Sequence, residues 1–203
     1  MLPEGRHLLN GVDAADSIVV NAHKWLFVPF DLSAFYTRRM DVLQRAFSLV
    51  PEYLRTTDGG APRNLMDTGV QLGRRFRALK LWMVLRTYGA EGIRALLEGH
   101  LALARAFAAW VDEDARFERL APVPFSVVCF RAVPPGLPAA DLDAFNQRLL
   151  DAVNATGEVF LSHTRLNGTL TLRLAVGHMR TTDVHVRRAW DLLCQHADAL
   201  AAG

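Results

Sequence analysis

The chain has 203 residues, of which 51% are hydrophobic and 22% charged, proportions of an ordinary globular protein long enough for one large domain or two small ones. Its 23 Lys and Arg against 21 Asp and Glu give a net charge of only +2, with both signs spread along the chain, so no electrostatic feature points to nucleic acid or a membrane surface. The two cysteines, Cys129 and Cys194, are far apart and fit neither a disulfide framework nor a metal-ligand spacing; with no signal-peptide core and no run of 18 apolar residues, a cytoplasmic location is expected.

In chain order, Ser17–Val20 is a short apolar run and predicts a buried strand, followed by a turn at Asn21-Ala22-His23-Lys24. Ser33–Arg38 predicts a second strand, with no obvious partner nearby. Residues 41–47 suit a short helix, Asp41 lying near its positive end. Ser48–Gly69 is long and irregular, with Pro51, Gly59, Gly60 and Pro62, a length more typical of a functional lid than of a plain connection. From Leu72 the apolar period becomes helical and runs to Tyr88-Gly89; a second helix is predicted over Glu91–Asp112.

The remainder changes character. Phe117–Leu120 and Ser126–Ala132 predict strands, and Asp141–Val153 a helix entered from Pro134–Pro138. Glu158–Ser162 and Thr169–Val176 predict two further strands around Asn167-Gly168, a hairpin-type turn. A last helix is predicted from Thr182-Asp183 to Ala199, giving an α+β unit with a small antiparallel sheet.

Chemistry concentrates at Lys24. A lysine between an apolar strand and Trp25-Leu26-Phe27 is expected to be partly desolvated, which depresses an ammonium pKa and favours the neutral amine that Schiff-base chemistry needs. His163, His178 and His185 lack tight ligand spacing, so no metal site is expected. Taken singly, Asn21 also suits the backbone groups of a turn, His23 a hydrogen-bonded buried histidine, and Tyr53 after Pro51 a loop anchor.

Asn21-Ala22-His23-Lys24-Trp25-Leu26 resembles the Asn-x-His-Lys-Trp segment of the group II pyridoxal-phosphate-dependent amino-acid decarboxylases, the family of the aromatic-L-amino-acid enzymes. His7–Gly11, Ala15-Asp16-Ser17, Phe30-Asp31, Ser33-Ala34, Pro51-x-Tyr53-Leu54, Leu72–Trp82, Tyr88-Gly89 and Leu172–Ala175 match the same family in the same order, so the resemblance covers essentially the whole chain. It implies an α/β, fold-type-I architecture of the aspartate-aminotransferase kind. Residues 1–80 would be the end of the large cofactor domain, with a catalytic loop at about 48–69, and residues 81–203 a small α+β C-terminal domain expected to fold by itself.

The resemblance also implies roles. Lys24 would hold pyridoxal 5'-phosphate through a Schiff base, Asn21 would contact its phosphate, and His23 would sit beside both. Tyr53 would protonate the substrate α-carbon after carbon dioxide leaves; relatives with phenylalanine there tend to form aldehydes oxidatively, so this tyrosine favours plain decarboxylation. Gly73 would leave room for a large aromatic group, although a loop-to-helix glycine suits it equally. The Arg74–Lys80 cluster is expected to be scaffold and subunit contact, and Arg173 a buried structural arginine.

Relatives begin far upstream of His7, and that part carries the aspartate facing the cofactor ring nitrogen, the histidine stacked on the ring and most of the sheet. The two early strands are therefore expected to lack sheet partners. The expected function is decarboxylation of an amino acid, aromatic first, by a homodimer or by association with an N-terminal half, with little activity in this chain alone. The rivals are a non-catalytic interaction fragment and a glutamate or histidine decarboxylase-type lyase.

Overall fold

The structure is a computed structural model and describes residues 2–48 and 65–202. The chain divides into two compact units, Arg6–Ile93 and Met1–Gly5 with Arg94–Gly203.

The Arg6–Ile93 unit is built on a two-stranded antiparallel ribbon, β1 (Ser17–Val20) and β2 (Ala34–Thr37). The two early strands pair with each other, Ser17 opposite Thr37 and Val20 opposite Ala34, which supplies the partner the sequence left open. The ribbon is not buried as expected: Val19 is 57% and Tyr36 61% exposed. Two strands form only one ladder, and among the described residues of this unit no layer covers their faces, so the apolar run has no core to enter. Helix α1 (Met40–Phe47) follows, and a 3-10 turn at Leu65–Thr68 lies within the stretch expected to be irregular.

Helix α2 (Arg77–Glu113) begins five residues later than the Leu72 expected. Leu72 and Phe76 are 70% and 75% exposed, so the apolar period there has nothing to pack against and does not hold a first helical turn. Gly89, at φ 64° and ψ 178°, breaks the helix where Tyr88-Gly89 predicted an end; only glycine takes that conformation at little cost.

The second unit holds a four-stranded antiparallel sheet in the order β3-β4-β6-β5, with β3 Phe117–Arg119, β4 Val127–Ala132, β5 Ser162–Leu166 and β6 Thr169–Ala175. Helices α3 (Leu142–Ala155) and α4 (Asp183–Ala202) complete it. Ala104, Phe107, Ala108 and Val111 of α2 recur at helical spacing and join Phe130, Leu172, Leu149 and Leu193 in one buried core. Phe107 meets Phe130 and Trp190 edge-on, with ring centroids 5.2 and 5.6 Å apart.

Strand β5 lies beyond the Glu158–Ser162 expected for it. Asn167 and Gly168, at φ 50° and 83°, form a two-residue turn that places Leu166 opposite Thr169, so the strand must run up to the turn. The apolar Val159-Phe160-Leu161 run stops short of the ladder because Asn154 takes both backbone groups of Leu161, at 2.8 and 2.9 Å. Arg173 is half-buried rather than buried, since it alternates onto the face opposite Leu172 and Leu174.

Where β4 and β6 separate, α3 supplies backbone partners. The ladder between them ends at Phe130 opposite Leu172. Cys129 and Val133 bond toward β3, so the groups of Ala132 face the β6 side with no strand opposite. Asn146 fills the gap: its Oδ1 accepts from Ala132 N–H at 2.7 Å, and its Nδ2 donates to Ala132 C=O at 2.8 Å and to Leu142 C=O at 2.9 Å. One helical turn earlier, Asp143 accepts from Leu170 N–H at 3.0 Å and from Arg165 at 2.8 Å.

Candidate active site

Lys24 lies in the connection between β1 and β2, and that connection is closed rung by rung. Above the Val20–Ala34 pair, Ser33 Oγ donates to Asn21 Oδ1 at 2.5 Å. The next rung joins His23 N–H to Leu32 C=O at 3.1 Å. The His23 ring reinforces it, with Nδ1 2.7 Å from the Leu32 carbonyl oxygen and 3.1 Å from the Leu32 amide nitrogen. The shorter contact suits the tautomer in which Nδ1–H donates to the carbonyl, leaving Nε2 an acceptor in the neutral ring and a donor in the cation. Lys24 is the first residue past this rung, in a turn where its N–H donates to Asn21 C=O at 3.0 Å. Ala22, Val28 and Leu32 are buried beneath the loop, packed with Leu26 and with Leu81 and Val84 of α2.

The far side of the loop is pinned to the start of α2. Lys80 Nζ donates to the carbonyls of Pro29 and Asp31 at 2.8 and 3.0 Å. Asp31 Oδ1 receives Arg77 Nε at 3.2 Å and lies 3.4 Å from Arg75 Nη2. The Arg77 hydrogen bond holds the Asp31 carboxyl below its usual range, against the opposing effect of burial. The basic cluster expected as scaffold thus serves the lysine loop directly.

The expected desolvation of Lys24 is not met, because its side chain is exposed. The apolar residues after it turn into the small core under the loop rather than over the amine. Asn21 and His23 are half-buried on the same turn, which brings three of the expected site residues together. Asn21 spends its oxygen on Ser33, so the Nδ2 donors have no partner among the described residues. An exposed primary amine on the same turn as an amide Nδ2 and an imidazole that donates through Nε2 as the cation suits an aldehyde bearing a phosphate.

Gly73 is exposed just before α2, outside the left-handed region, and a Cβ built on it meets nothing within 4 Å. Neither a left-handed backbone nor close packing among the described residues requires glycine there. Tyr53 lies outside the described residues. His178 Nδ1 accepts from Arg180 N–H and His185 Nδ1 from Thr182 N–H, and among the described residues no three potential metal ligands come together. No helix among them is long and apolar enough to cross a membrane.

The pyridoxal-dependent decarboxylase conserved domain matches residues 1–133, and the chain belongs to that family. Tryptophan decarboxylase 2 of Oryza sativa subsp. japonica is 43% identical over 197 residues, covering 96% of this chain and 40% of that protein. The phenylacetaldehyde synthase of Arabidopsis thaliana is 42% identical over 202 residues, covering 98% of this chain and 41% of that protein. The crystal structure of Oryza sativa TDC with PLP and tryptamine superposes with a TM-score of 0.90 at 38% identity, over 98% of this chain and 42% of that one. Catharanthus roseus tryptophan decarboxylase in complex with L-tryptophan gives 0.86 at 38% identity, over 98% and 42%. The expected fold class is therefore the one found, and the chain spans about two fifths of the length of the relatives it matches.

Proposed function

We propose that this chain is the lysine-bearing part of a pyridoxal-phosphate-dependent carboxy-lyase acting on an amino acid, aromatic by first choice. The observation that carries this is the Asn21-Ala22-His23-Lys24 turn, with an accessible amine on a loop tied at both ends. Lys24 would hold the cofactor through its aldehyde, and Asn21 Nδ2 and, in the imidazolium form, His23 Nε2 would hold its phosphate. When bound, pyridoxal phosphate supplies the electron sink for the pair left behind as the carboxylate departs. Tyr53 then delivers its phenolic proton to the substrate α-carbon, and Gly73 leaves space for the substrate ring.

Overall similarity does not choose between decarboxylation and aldehyde formation, since relatives named for each are 43% and 42% identical. Tyr53 carries that choice, and it favours decarboxylation. The exposed apolar ribbon, with Val19, Phe35 and Tyr36 more than half exposed, supports association with further protein, either a second copy or the N-terminal part that relatives possess. Alone, the chain is expected to turn over slowly or not at all.

The test is borohydride trapping of pyridoxal phosphate on the purified chain, with peptide mapping and a Lys24→Ala control. A reduced adduct confined to Lys24 supports the assignment. A folded chain that gives no adduct, or an adduct scattered over surface lysines and unchanged in the control, refutes Lys24 as a cofactor lysine in this chain and favours the interaction-fragment alternative.

A further inference from the structure

We propose that Arg77 and Lys80 are positioning residues for Lys24, acting through Asp31 and the carbonyls of residues 29 and 31. This rests on the assignment of Lys24 as the cofactor lysine.

The geometry gives the two ends of the Lys24 loop different restraints. The N-terminal end is held by the ribbon and its rungs, the last being His23 with Leu32. Between them, Phe27 N–H donates to Lys24 C=O at 3.4 Å and Val28 N–H to Ala22 C=O at 3.2 Å, which fold the first half of Trp25–Asp31 back on the rung side. Left unheld, the second half of the loop would sample many conformations and loosen the lysine's setting. The tail of that stretch is where α2 intervenes. Lys80 bridges two carbonyls two residues apart, which fixes the local path of the backbone. Arg77 holds the carboxylate between them, and its fork also reaches Gln71 Oε1 at 3.3 Å. Arg77 is mostly covered, its side chain 21% exposed, whereas Arg75, the other partner of Asp31, is 77% exposed. An ordered pair of this kind keeps its partners with less loss of side-chain freedom than a mobile surface pair. Arg77 is therefore the principal tether and Arg75 an accessory.

Two consequences follow. The loop that presents Lys24 is fixed by residues 46 and 49 positions away in sequence, on the helix that receives the chain after the stretch containing Tyr53. Through Gln71, Arg77 also ties the residues just before α2 to the lysine loop.

The experiment compares full-length wild type, Arg77→Met, Asp31→Asn, the double variant, Lys80→Met and Arg77→Lys. Hydrogen exchange is followed at the amides of His23, Val28 and Leu32, and borohydride-trapped pyridoxal phosphate on Lys24 is quantified at sub-saturating cofactor. Arg77→Met and Asp31→Asn are each expected to speed exchange at these amides by about tenfold or more, with β4 and β6 amides unchanged as the control for folding. The double variant adds little to either single one, Lys80→Met gives a similar effect, and Arg77→Lys recovers part of the protection. The Lys24 adduct yield falls severalfold in step with lost protection. Exchange at residues 23–32 that is unchanged in Arg77→Met and Asp31→Asn, or single effects that simply add in the double variant, overturns the proposal. Loosened exchange with an undiminished adduct yield also overturns it. If wild type itself takes no adduct on Lys24, the functional assignment fails, while the exchange data still decide whether the tether exists.

Discussion

Replacing Asn146 by alanine should be among the most damaging single changes in the C-terminal unit. Asn146 is fully buried and stands where the ladder between β4 and β6 has already ended. It satisfies the N–H and C=O of Ala132, itself fully buried, as an opposing strand would. Alanine leaves both groups unpaired in a dry site, at about 1–3 kcal/mol each, and the small void adds a little more. The Leu142 carbonyl loses less, because it belongs to the helix and keeps its ordinary intrahelical partner. A loss of about 3–4 kcal/mol follows, which for a unit of this size corresponds to a melting temperature lower by about 12 °C or more. The assay is thermal unfolding of the full chain followed by near-ultraviolet circular dichroism, which reports the Trp110–Trp190 cluster of the same unit. Asn146→Asp is the informative companion. It keeps an acceptor for Ala132 N–H but turns a second oxygen on the Ala132 carbonyl, so it should be no better than alanine. A shift under about 3 °C for alanine, or an aspartate variant close to wild type, would refute the strand-substitute role.

Two predictions concern pH. His100 is 2% exposed, and burial pushes its imidazole below the ordinary histidine value, with the nearby His178 charge adding to that and a hydrogen bond with the His178 backbone opposing it. The unfolded chain then binds a proton that the folded chain resists, so stability should fall as pH drops below about 6.5; His100→Gln should flatten that slope between pH 7 and 5 in thermal melts, and an unchanged slope would assign it elsewhere. Asp114 lies the other way: its hydrogen bond with Arg116 holds the carboxyl below the usual range. Its contribution is complete above about pH 5 and is lost as pH falls below about 4, so Arg116→Met should lower stability at neutral pH and make the acid limb shallower. An acid limb as steep as that of wild type would mean that other carboxylates govern it.

Features set by neighbouring residues were legible in the sequence. Asn167-Gly168 marks its turn because the two residues tolerate positive φ, and Gly89 marks the break in α2 for the same reason. Helices α1, α3 and α4 follow from their apolar spacing. The position of β5 was not legible, because the apolar run before it competes with the strand and only Asn154 decides the matter. Asn146 is marked in the sequence as a polar residue inside the stripe Leu142, Phe145, Leu149, Leu150 and Val153, where the fold must give it partners. At the site, Lys24, Asn21 and His23 were identified by the resemblance of their segment, not by spacing. The Asp31 tether was invisible because its partners are 46 and 49 residues away and nothing local distinguishes Asp31 from any other loop carboxylate.

The exposure of Lys24 separates two requirements that its sequence setting predicts together. A lysine used for Schiff-base chemistry must be in place, and its amine must also be partly stripped of water to lose its proton near neutral pH. In this chain the ribbon, the His23–Leu32 rung and the contacts from α2 supply place. They do not supply burial, since Trp25, Leu26 and Phe27 are half-buried while the lysine between them and the rung remains exposed. The apolar surface of β1 and β2 lies open in the same unit. Protein that covered this ribbon would bury apolar side chains and could bring the low-dielectric wall that Lys24 lacks. Position and desolvation therefore come from different sources, and among the described residues of this unit the first is supplied by the ribbon, the rung and α2. This is the physical basis for expecting cofactor capture by the isolated chain to be easier to detect than turnover. Capture needs the amine held beside phosphate donors, whereas turnover also needs water kept away from the reacting centre.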